Sequence, residues 1–525
     1  MAEEIISIGY GIDHTKVQSC NPLTGKAVYT GKVSTIDEVE NTLANAASAY
    51  EEYRYFSGEQ KAEFLDAIAE EILALGEELL HMTVSETGLS LQRIEGERAR
   101  TVGQLRMFAD LLREGSWVEA TIDTAIPGRS PAPRPDLRKM LVAVGPVVVF
   151  SASNFPLAFS TAGGDTASAL AAGNPVVLKA HNAHLGTNSL ISSAILTAAE
   201  RTNMPHGIFS TLTGEGHRLG QQLVMHKNIK SVAFTGSHSG GMSLYKLAAQ
   251  REQPIPVFAE MGSVNPVIIL PEKLSNSKQE LAEQYVGSLT LGAGQFCTNP
   301  GLLILIKGEE SDEFIAHVGK LAGITAPAPM LSEQIWSAYL SASAGMISSD
   351  KVDIVAKAES REGQCLAIPV VASVKGSDFI QTRSLCEEVF GPFGLIVICV
   401  DKEEVIRVLR HVGGALTTTI WATDEELKKH RDLVNSASGQ AGRLILNGMP
   451  TGVEVCAAMH HGGPSPASTD SRFTSVGTDA IKRFVRPVTY QNFPDQALPA
   501  ELRDTNPLKI WRTINGELSK ERIDA

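Results

Sequence analysis

Residues 140–180 read MLVAVGPVVVFSASNFPLAFSTAGGDTASALAAGNPVVLKA. The run MLVAVGPVVVF is continuously apolar and rich in β-branched residues, the pattern of a strand buried on both faces. TAGGDTASALAAG follows as a helical segment of small residues, and PVVLK as a second short strand. The alternation continues outward. A helix is predicted near 185–201, a strand near 207–213, a helix near 215–226, the strand SVAFTG, another helix, and a strand ending in VFAEMG. Strands alternating with helices imply a parallel sheet with right-handed crossovers, so the fold class is α/β. Such sheets bind ligands beyond the carboxyl ends of their strands. Asn154, Lys179, Gly236 and Glu260 all fall there.

The region 270–450 alternates in the same way and reads as a second α/β domain. Residues 89–115 read as one amphipathic helix with Leu91, Ile94, Val102, Leu105 and Leu112 on one stripe. Residues 121–138 contain PGRSPAPRP, too rich in proline for a helix interior and suited to an extended arm. The tail from about 465 also has extended patterns. Arm and tail are therefore expected to pair as strands, within one chain or across subunits.

A chain of 525 residues has room for two or three domains. The net charge of -13 argues against broad binding to nucleic acid or an anionic membrane, which calls for a basic surface. None of the six cysteines forms a CxxC pair, and their scatter suits reduced thiols in a cytoplasmic protein. The start, MAEEIISIGY, lacks a basic region before an apolar stretch and does not read as a secretory signal. The uncharged stretch from Met140 to Gly164 is interrupted by Pro146, Asn154 and Pro156, so no membrane span is expected.

Several segments carry chemistry. GQFCTNPG sets Cys297 in a turn of small residues, where a thiolate meets backbone N–H donors; a buried structural cysteine is the plainer alternative. EMGSVNP puts Glu260 at a strand's carboxyl end, able to take a proton from a thiol or a water. SNFP puts Asn154 after a buried strand, where its amide suits a developing oxyanion, although an Asn before Pro156 also suits a simple turn. FTGSHSGG runs from strand through Thr235, Gly236, Ser237 and Gly241 into a helix, a place where backbone can approach phosphates. Its GxxxxG spacing is neither GxGxxG nor a P-loop. EEVFGP offers Glu388 for ribose hydroxyls and Phe390 for packing on a nicotinamide ring, although by itself it reads more plainly as an ordinary strand-turn segment. No metal-ligand spacing appears, and His460-His461 reads as a loop.

The ordered set NFP, LK, FTGS, EMG, GQFC, EEVFGP and LNGMPTGV resembles the aldehyde dehydrogenase superfamily over nearly the whole chain. RTVGQLRMFA, GGPSPASTDSRFTSVG and RFVRPVTYQNFP are similar to the subgroup of α-ketoglutaric semialdehyde (2,5-dioxovalerate) dehydrogenases, with fatty aldehyde dehydrogenases alike. The resemblance implies a Rossmann-like cofactor domain (1–120 and 139–262), a catalytic domain (263–462) and a bridging, oligomerising element (121–138 and 463–525), in a homodimer or homotetramer. It implies that Cys297 attacks the aldehyde and that the oxyanion sits between Asn154 and the Cys297 N–H. Hydride transfer then leaves a thioester, and Glu260 activates the water that hydrolyses it. Lys179 and Glu388 resemble residues holding cofactor riboses.

In relatives favouring NAD a Glu lies three residues after the lysine. Here that position is Asn182, which would not repel a 2′-phosphate, and Arg218 resembles the arginine that binds that phosphate. NADP is expected ahead of NAD. The expected substrate is 2,5-dioxovalerate, oxidised to 2-oxoglutarate. An arginine suits its carboxylate, and among Arg93, Arg98, Arg100, Arg106 and Arg113 the resemblance points to Arg100, with Phe155 lining the same tunnel. Arg98 reads as an ion pair with Glu95 or Glu97. Competing readings are a fatty or other aliphatic aldehyde dehydrogenase, a CoA-acylating relative (disfavoured by Glu260), a cysteine hydrolase (no pattern near Cys297 nominates a histidine) and a non-catalytic binding protein on the same fold. The family's common E-L-G-G-K reads EMGSVNP here; Gly262 is kept, so the turn should survive.

Overall fold

Three large sheets, with two two-stranded ribbons, organise the chain in the computed structural model, which describes residues 15–524. The N-terminal MAEEIISIGY lies outside the described residues. The first sheet has five parallel strands in the order Phe209–Leu212, Val176–Lys179, Val147–Phe150, Ser231–Thr235 and Val257–Glu260. The chain starts at the central strand, winds to one side, then returns and winds to the other. The reversal lies between 147–150 and 231–235, the crevice where open α/β sheets take their ligands. Val147–Phe150 and Val176–Lys179 are buried at every residue, which is why their apolar runs are unbroken.

MLVAVGPVVVF is two strands rather than one. Leu137–Ala143 alternates in burial and belongs to another sheet, whereas Val147–Phe150 is wholly buried. The break falls at Gly145, whose φ is +123° and whose N–H donates to the Asn174 side chain. Residue 145 needs that left-handed backbone, and the chain turns out of one sheet into the next.

The second sheet runs Asp353–Lys357, Val370–Lys375, Phe393–Cys399, Leu302–Ile306, Val267–Ile269, Ala415–Trp421 and Ala441–Leu446. Its strands are parallel except for the first. The third comprises Val485–Gln491, Leu137–Ala143, Thr121–Asp123, Arg512–Ile514 and Glu517–Ser519. Arm and tail thus pair within one chain, Val485–Gln491 running antiparallel to Leu137–Ala143 over its full length.

Helix Leu91–Glu114 is continuous. The Ser90 side chain accepts from the Arg93 N–H and caps it. Ile94, Val102, Leu105 and Leu112 are buried, while Leu91, in the first turn, is exposed. The small-residue helix Gly164–Ala172 is buried along its length and lies against Leu91–Glu114, an approach that larger side chains would block. Among the described residues no helix is long and apolar enough to cross a membrane.

Candidate active site

Helix Pro271–Thr290 ends just before the Cys297 loop, and Gly292, Ala293 and Gly294 then take left-handed backbone. A Cβ on Gly294 would stand 2.3 Å from the Gly391 carbonyl, so only glycine fits. Gln295 pins the turn: its Oε1 accepts from the Leu331 N–H and its Nε2 donates to the Gly292 carbonyl. Asn265, fully buried, donates through Nδ2 to the carbonyls of Cys297, Asn299 and Ser263 at 2.9, 2.9 and 3.0 Å. The thiol is thereby held, partly exposed, at a rigid turn. Asn154 sits beside it, its Nδ2 donating to the Gln295 carbonyl at 3.2 Å.

Glu260 ends the last strand of the parallel sheet, as expected. The segment 467–469 runs antiparallel beside that strand: Met261 N–H donates to the Ala467 carbonyl and Thr469 N–H to the Ala259 carbonyl. The same segment of chain brings in His461 and Ser475. His461 is a loop residue, but its Nε2 lies 3.3 Å from Cys297 Sγ and 3.1 Å from Glu260 Oε1. The spacing of the sequence nominated no histidine for Cys297; the folded chain supplies one. The loop is fixed by His461 N–H donating to Thr474 Oγ1 and by Ser475 N–H donating to the His461 carbonyl. Ser475 Oγ donates to Glu260 Oε2. The ring is fully buried. Burial disfavours the imidazolium, but the Glu260 and Cys297 charges outweigh it and push His461 up to about 10. Burial likewise works against the Glu260 carboxylate, yet His461 beside it holds that group below the usual carboxylate range. The Cys297, His461 and Glu260 ligand atoms lie within 4.8 Å of one another, a spacing that would also suit a metal ion, although no pattern in the sequence marks them as ligands.

A cavity of about 330 Å³ ends on Cys297 and is lined by Arg93, Arg100, Phe155, Phe159 and Phe296, with Gly452 and Val453 of LNGMPTGV at its rim. The arginines of helix Leu91–Glu114 separate cleanly. Arg93 pairs with Glu97 at 2.9 Å, stacks on Phe155 and Phe296, and donates to the Asn154 carbonyl. Glu97 also accepts from the Leu157 N–H, so this pair clamps the 154–157 turn. Arg98 forms no ion pair with Glu95 or Glu97; it donates to the Gly76 carbonyl, and Glu97 belongs to Arg93, one helical turn away. Arg106 is exposed, and Arg113 pairs with Glu59 and Asp66. Arg100 alone enters the cavity unpaired: its Nε and one terminal nitrogen are buried without a hydrogen-bond partner, and its guanidinium faces Phe155 and Phe159.

The cofactor candidates lie along the parallel sheet's carboxyl edge and the loop facing it. Lys179 ends its strand buried and is drawn down to about 8 by desolvation. Asn182 opens a short turn; its Nδ2 donates to the Gly214 carbonyl while its Oδ1 is buried without a donor. Arg218 is exposed in the first turn of helix Gly216–Met225. Thr235 ends its strand, Gly236 follows, and Ser237 caps helix His238–Ala249 by accepting from the Gly240 N–H. Gly241 faces Met261 and Ala259, a helix-to-sheet contact. Glu388 and Phe390 lie in one loop beside Ser263 and Gly294. Burial pushes the Glu388 carboxyl up to about 7. Gly262 has a specific reason: a Cβ there would stand 1.9 Å from Glu388 Oε2. Ser263, in place of the family's second glycine, accepts from the Leu416 N–H and ties the turn to the second sheet.

The aldehyde dehydrogenase family model matches residues 11–487. An α-ketoglutaric semialdehyde dehydrogenase 2 of Azospirillum brasilense is 47% identical, the match covering 91% of each chain. An α-ketoglutaric semialdehyde dehydrogenase of Acinetobacter baylyi is 44% identical, over 94% of this chain and 93% of its own. The fold is shared with betaine aldehyde dehydrogenase of Staphylococcus aureus (TM-score 0.77, 20% identity, 92% and 93% covered). It is shared equally with a glyceraldehyde-3-phosphate dehydrogenase of Methanocaldococcus jannaschii (TM-score 0.76, 20% identity, 91% and 99% covered). Motif order, fold and near-complete coverage agree: this chain belongs to the aldehyde dehydrogenase family.

Proposed function

We propose that this oxidoreductase converts α-ketoglutaric semialdehyde (2,5-dioxovalerate) to 2-oxoglutarate with NADP. One observation carries the substrate: the unpaired Arg100 guanidinium, partly buried among aromatic rings in the cavity that ends at Cys297. A buried cation without a partner is costly, so it suits a ligand that brings its own carboxylate. The two relatives at 44–47% identity bear that substrate in their names, which supports the same reading.

In this reading Cys297 Sγ bonds to the aldehyde carbon, and Asn154 Nδ2 with the Cys297 N–H holds the resulting oxyanion. A nicotinamide held beside Phe390 would supply the hydride acceptor. The acyl group stays on Cys297 as a thioester until water, deprotonated at Glu260, releases the acid. Arg100 grips the far carboxylate, and Phe155 walls the chain between. Lys179 and Glu388 would hold the ribose hydroxyls and Phe390 would flank the nicotinamide. Asn182 and Arg218 fit a 2′-phosphate: one carries no charge to repel it, the other is an exposed cation. Thr235, Gly236, Ser237 and Gly241 complete the cofactor edge.

We assign 1–120 with 139–262 to the cofactor domain, 263–462 to the catalytic domain, and 121–138 with 463–525 to the bridging element. The separate sheets support this division except at one boundary: strand Leu137–Ala143 pairs wholly in the third sheet, so residues 139–143 go with the bridging element. The unpaired edge strand Ala441–Leu446, with Leu444 and Leu446 exposed, supports a homodimer or homotetramer, because a free apolar edge invites a strand. Six free cysteines suit the cytoplasm.

The test is NADPH formation across short aliphatic, long-chain, aromatic and 2-oxo-acid semialdehydes. The 2-oxo-acid semialdehyde should lead, and Arg100→Ala should raise its KM roughly 10- to 100-fold, as for a lost charge-assisted hydrogen bond. An unchanged KM, or a lead for long-chain aldehydes, overturns the substrate assignment. A higher kcat/KM with NAD than with NADP overturns the cofactor assignment.

A further inference from the structure

His461 has no part in the mechanism above, yet its Nε2 lies between the nucleophile and the carboxylate. We propose that His461 is the base that takes the Cys297 thiol proton, which leaves Glu260 to serve the water. This rests on reading Cys297 as the nucleophile.

The geometry divides the work. Hydrogen-bond geometry joins His461 Nε2 to Cys297 Sγ at 3.3 Å, as expected of a sulfur contact. Glu260 Oε1 is at ion-pair distance from the same nitrogen, 3.1 Å, but no donor is directed at it and it is buried. Nε2 is in hydrogen-bond geometry with sulfur, so a proton can pass between Sγ and Nε2. Oε1 is left as an open acceptor, which is what a water-activating carboxylate needs, while Oε2 is held by Ser475. The carboxylate's charge meanwhile favours a proton on the ring. His461 Nδ1 is buried with no partner, so the ring engages the site only through Nε2.

The Sγ–H bond breaks and the proton moves to Nε2, where an N–H bond forms. The electron pair stays on sulfur and makes the S–C bond to the aldehyde carbon, and the carbonyl π pair moves to oxygen beside Asn154 Nδ2. The imidazolium remains paired with Glu260.

The test is alkylation of Cys297 by iodoacetamide without aldehyde or cofactor, followed by peptide mass spectrometry at pH 6.5 and pH 10. His461→Gln preserves approximate size and a donor but cannot titrate. It should slow alkylation roughly 10-fold or more at pH 6.5 and approach the wild-type rate at pH 10, where hydroxide removes the need for a base. It should lower kcat with little change in the KM for NADP. Glu260→Gln should instead accumulate thioester. Equal rates for wild type and His461→Gln at pH 6.5 overturn the proposal, and so does one constant factor at both pH values, which signals mere access. The alkylation rates need no substrate, so they stand apart from the assignment of the aldehyde.

Discussion

Asn265→Ala should cripple the enzyme although Asn265 touches no substrate. The residue is fully buried with φ +45°. Its Nδ2 serves three carbonyls, and its Oδ1 accepts from the Thr417 N–H and Thr417 Oγ1 at 3.3 and 3.2 Å. Alanine strands those two donors, at about 1–3 kcal/mol for each that finds no new partner. The carbonyls matter less, since an under-satisfied carbonyl is better tolerated than an orphaned N–H. A left-handed alanine adds about 1 kcal/mol. With both donors stranded the total is about 3–7 kcal/mol, a large share of ordinary protein stability. Freed from Asn265, the Cys297 carbonyl no longer fixes the thiol, and a displacement of about 1 Å costs roughly 100-fold in rate. Urea unfolding followed by circular dichroism, with NADPH formation measured in parallel, reads both effects. Asn265→Gly should recover about 1 kcal/mol relative to alanine, by relieving the backbone, without recovering kcat. An alanine variant with a wild-type urea midpoint and a kcat within about twofold refutes this account of how the nucleophile is held.

Gly262→Ala should fold, because the group it displaces is the end of the flexible Glu388 side chain, but Oε2 must retreat about 1 Å; the KM for NADP should rise roughly 10-fold, and an unchanged KM would detach Glu388 from the cofactor. Asn182→Glu should move the kcat/KM ratio towards NAD through repulsion of a 2′-phosphate, with activity on NAD largely retained; an unmoved ratio contradicts the assignment. Lys61, buried over the Tyr53 ring, is drawn down to about 8 by burial, against the pull of Glu501. Its folded-state value lies below the unfolded one, so the charged lysine destabilises the fold by roughly 3 kcal/mol below pH 8, and the penalty fades as pH rises to about 10.5. Lys61→Met should therefore stabilise the protein at pH 7 and lose that advantage by pH 10.5, as followed by urea unfolding at both pH values.

The parallel sheet was legible because Val147–Phe150 and Val176–Lys179 are buried on both faces, and full burial writes itself as an unbroken apolar run. The same rule misled at MLVAVG, where a half-buried strand happens to carry apolar residues on its more exposed side. Glu260 and Asn154 could be found because strand ends mark the ligand crevice of such a sheet. His461 could not: it lies 164 residues from Cys297 in a loop of no periodicity, and only the pairing of 467–469 with the sheet edge brings it in. Asn265 hid for a similar reason, since a polar residue two positions before a short strand reads as a turn. Among the arginines, helical spacing speaks against a pair between Arg98 and the adjacent Glu97, whereas Arg93 lies four residues from Glu97 on the same face.

The proposed reaction passes through an acyl thioester on Cys297, formed from a carboxylate-bearing aldehyde. The direct measurement mixes Glu260→Gln with α-ketoglutaric semialdehyde and NADP, quenches in acid after one turnover, and reads the Cys297 peptide by mass spectrometry. An acyl adduct on Cys297 should form in step with one equivalent of NADPH, and should be absent when Arg100 is also changed to alanine at low substrate. NADPH formed with no adduct on the Cys297 peptide, in a variant whose hydrolysis is slow, would contradict it.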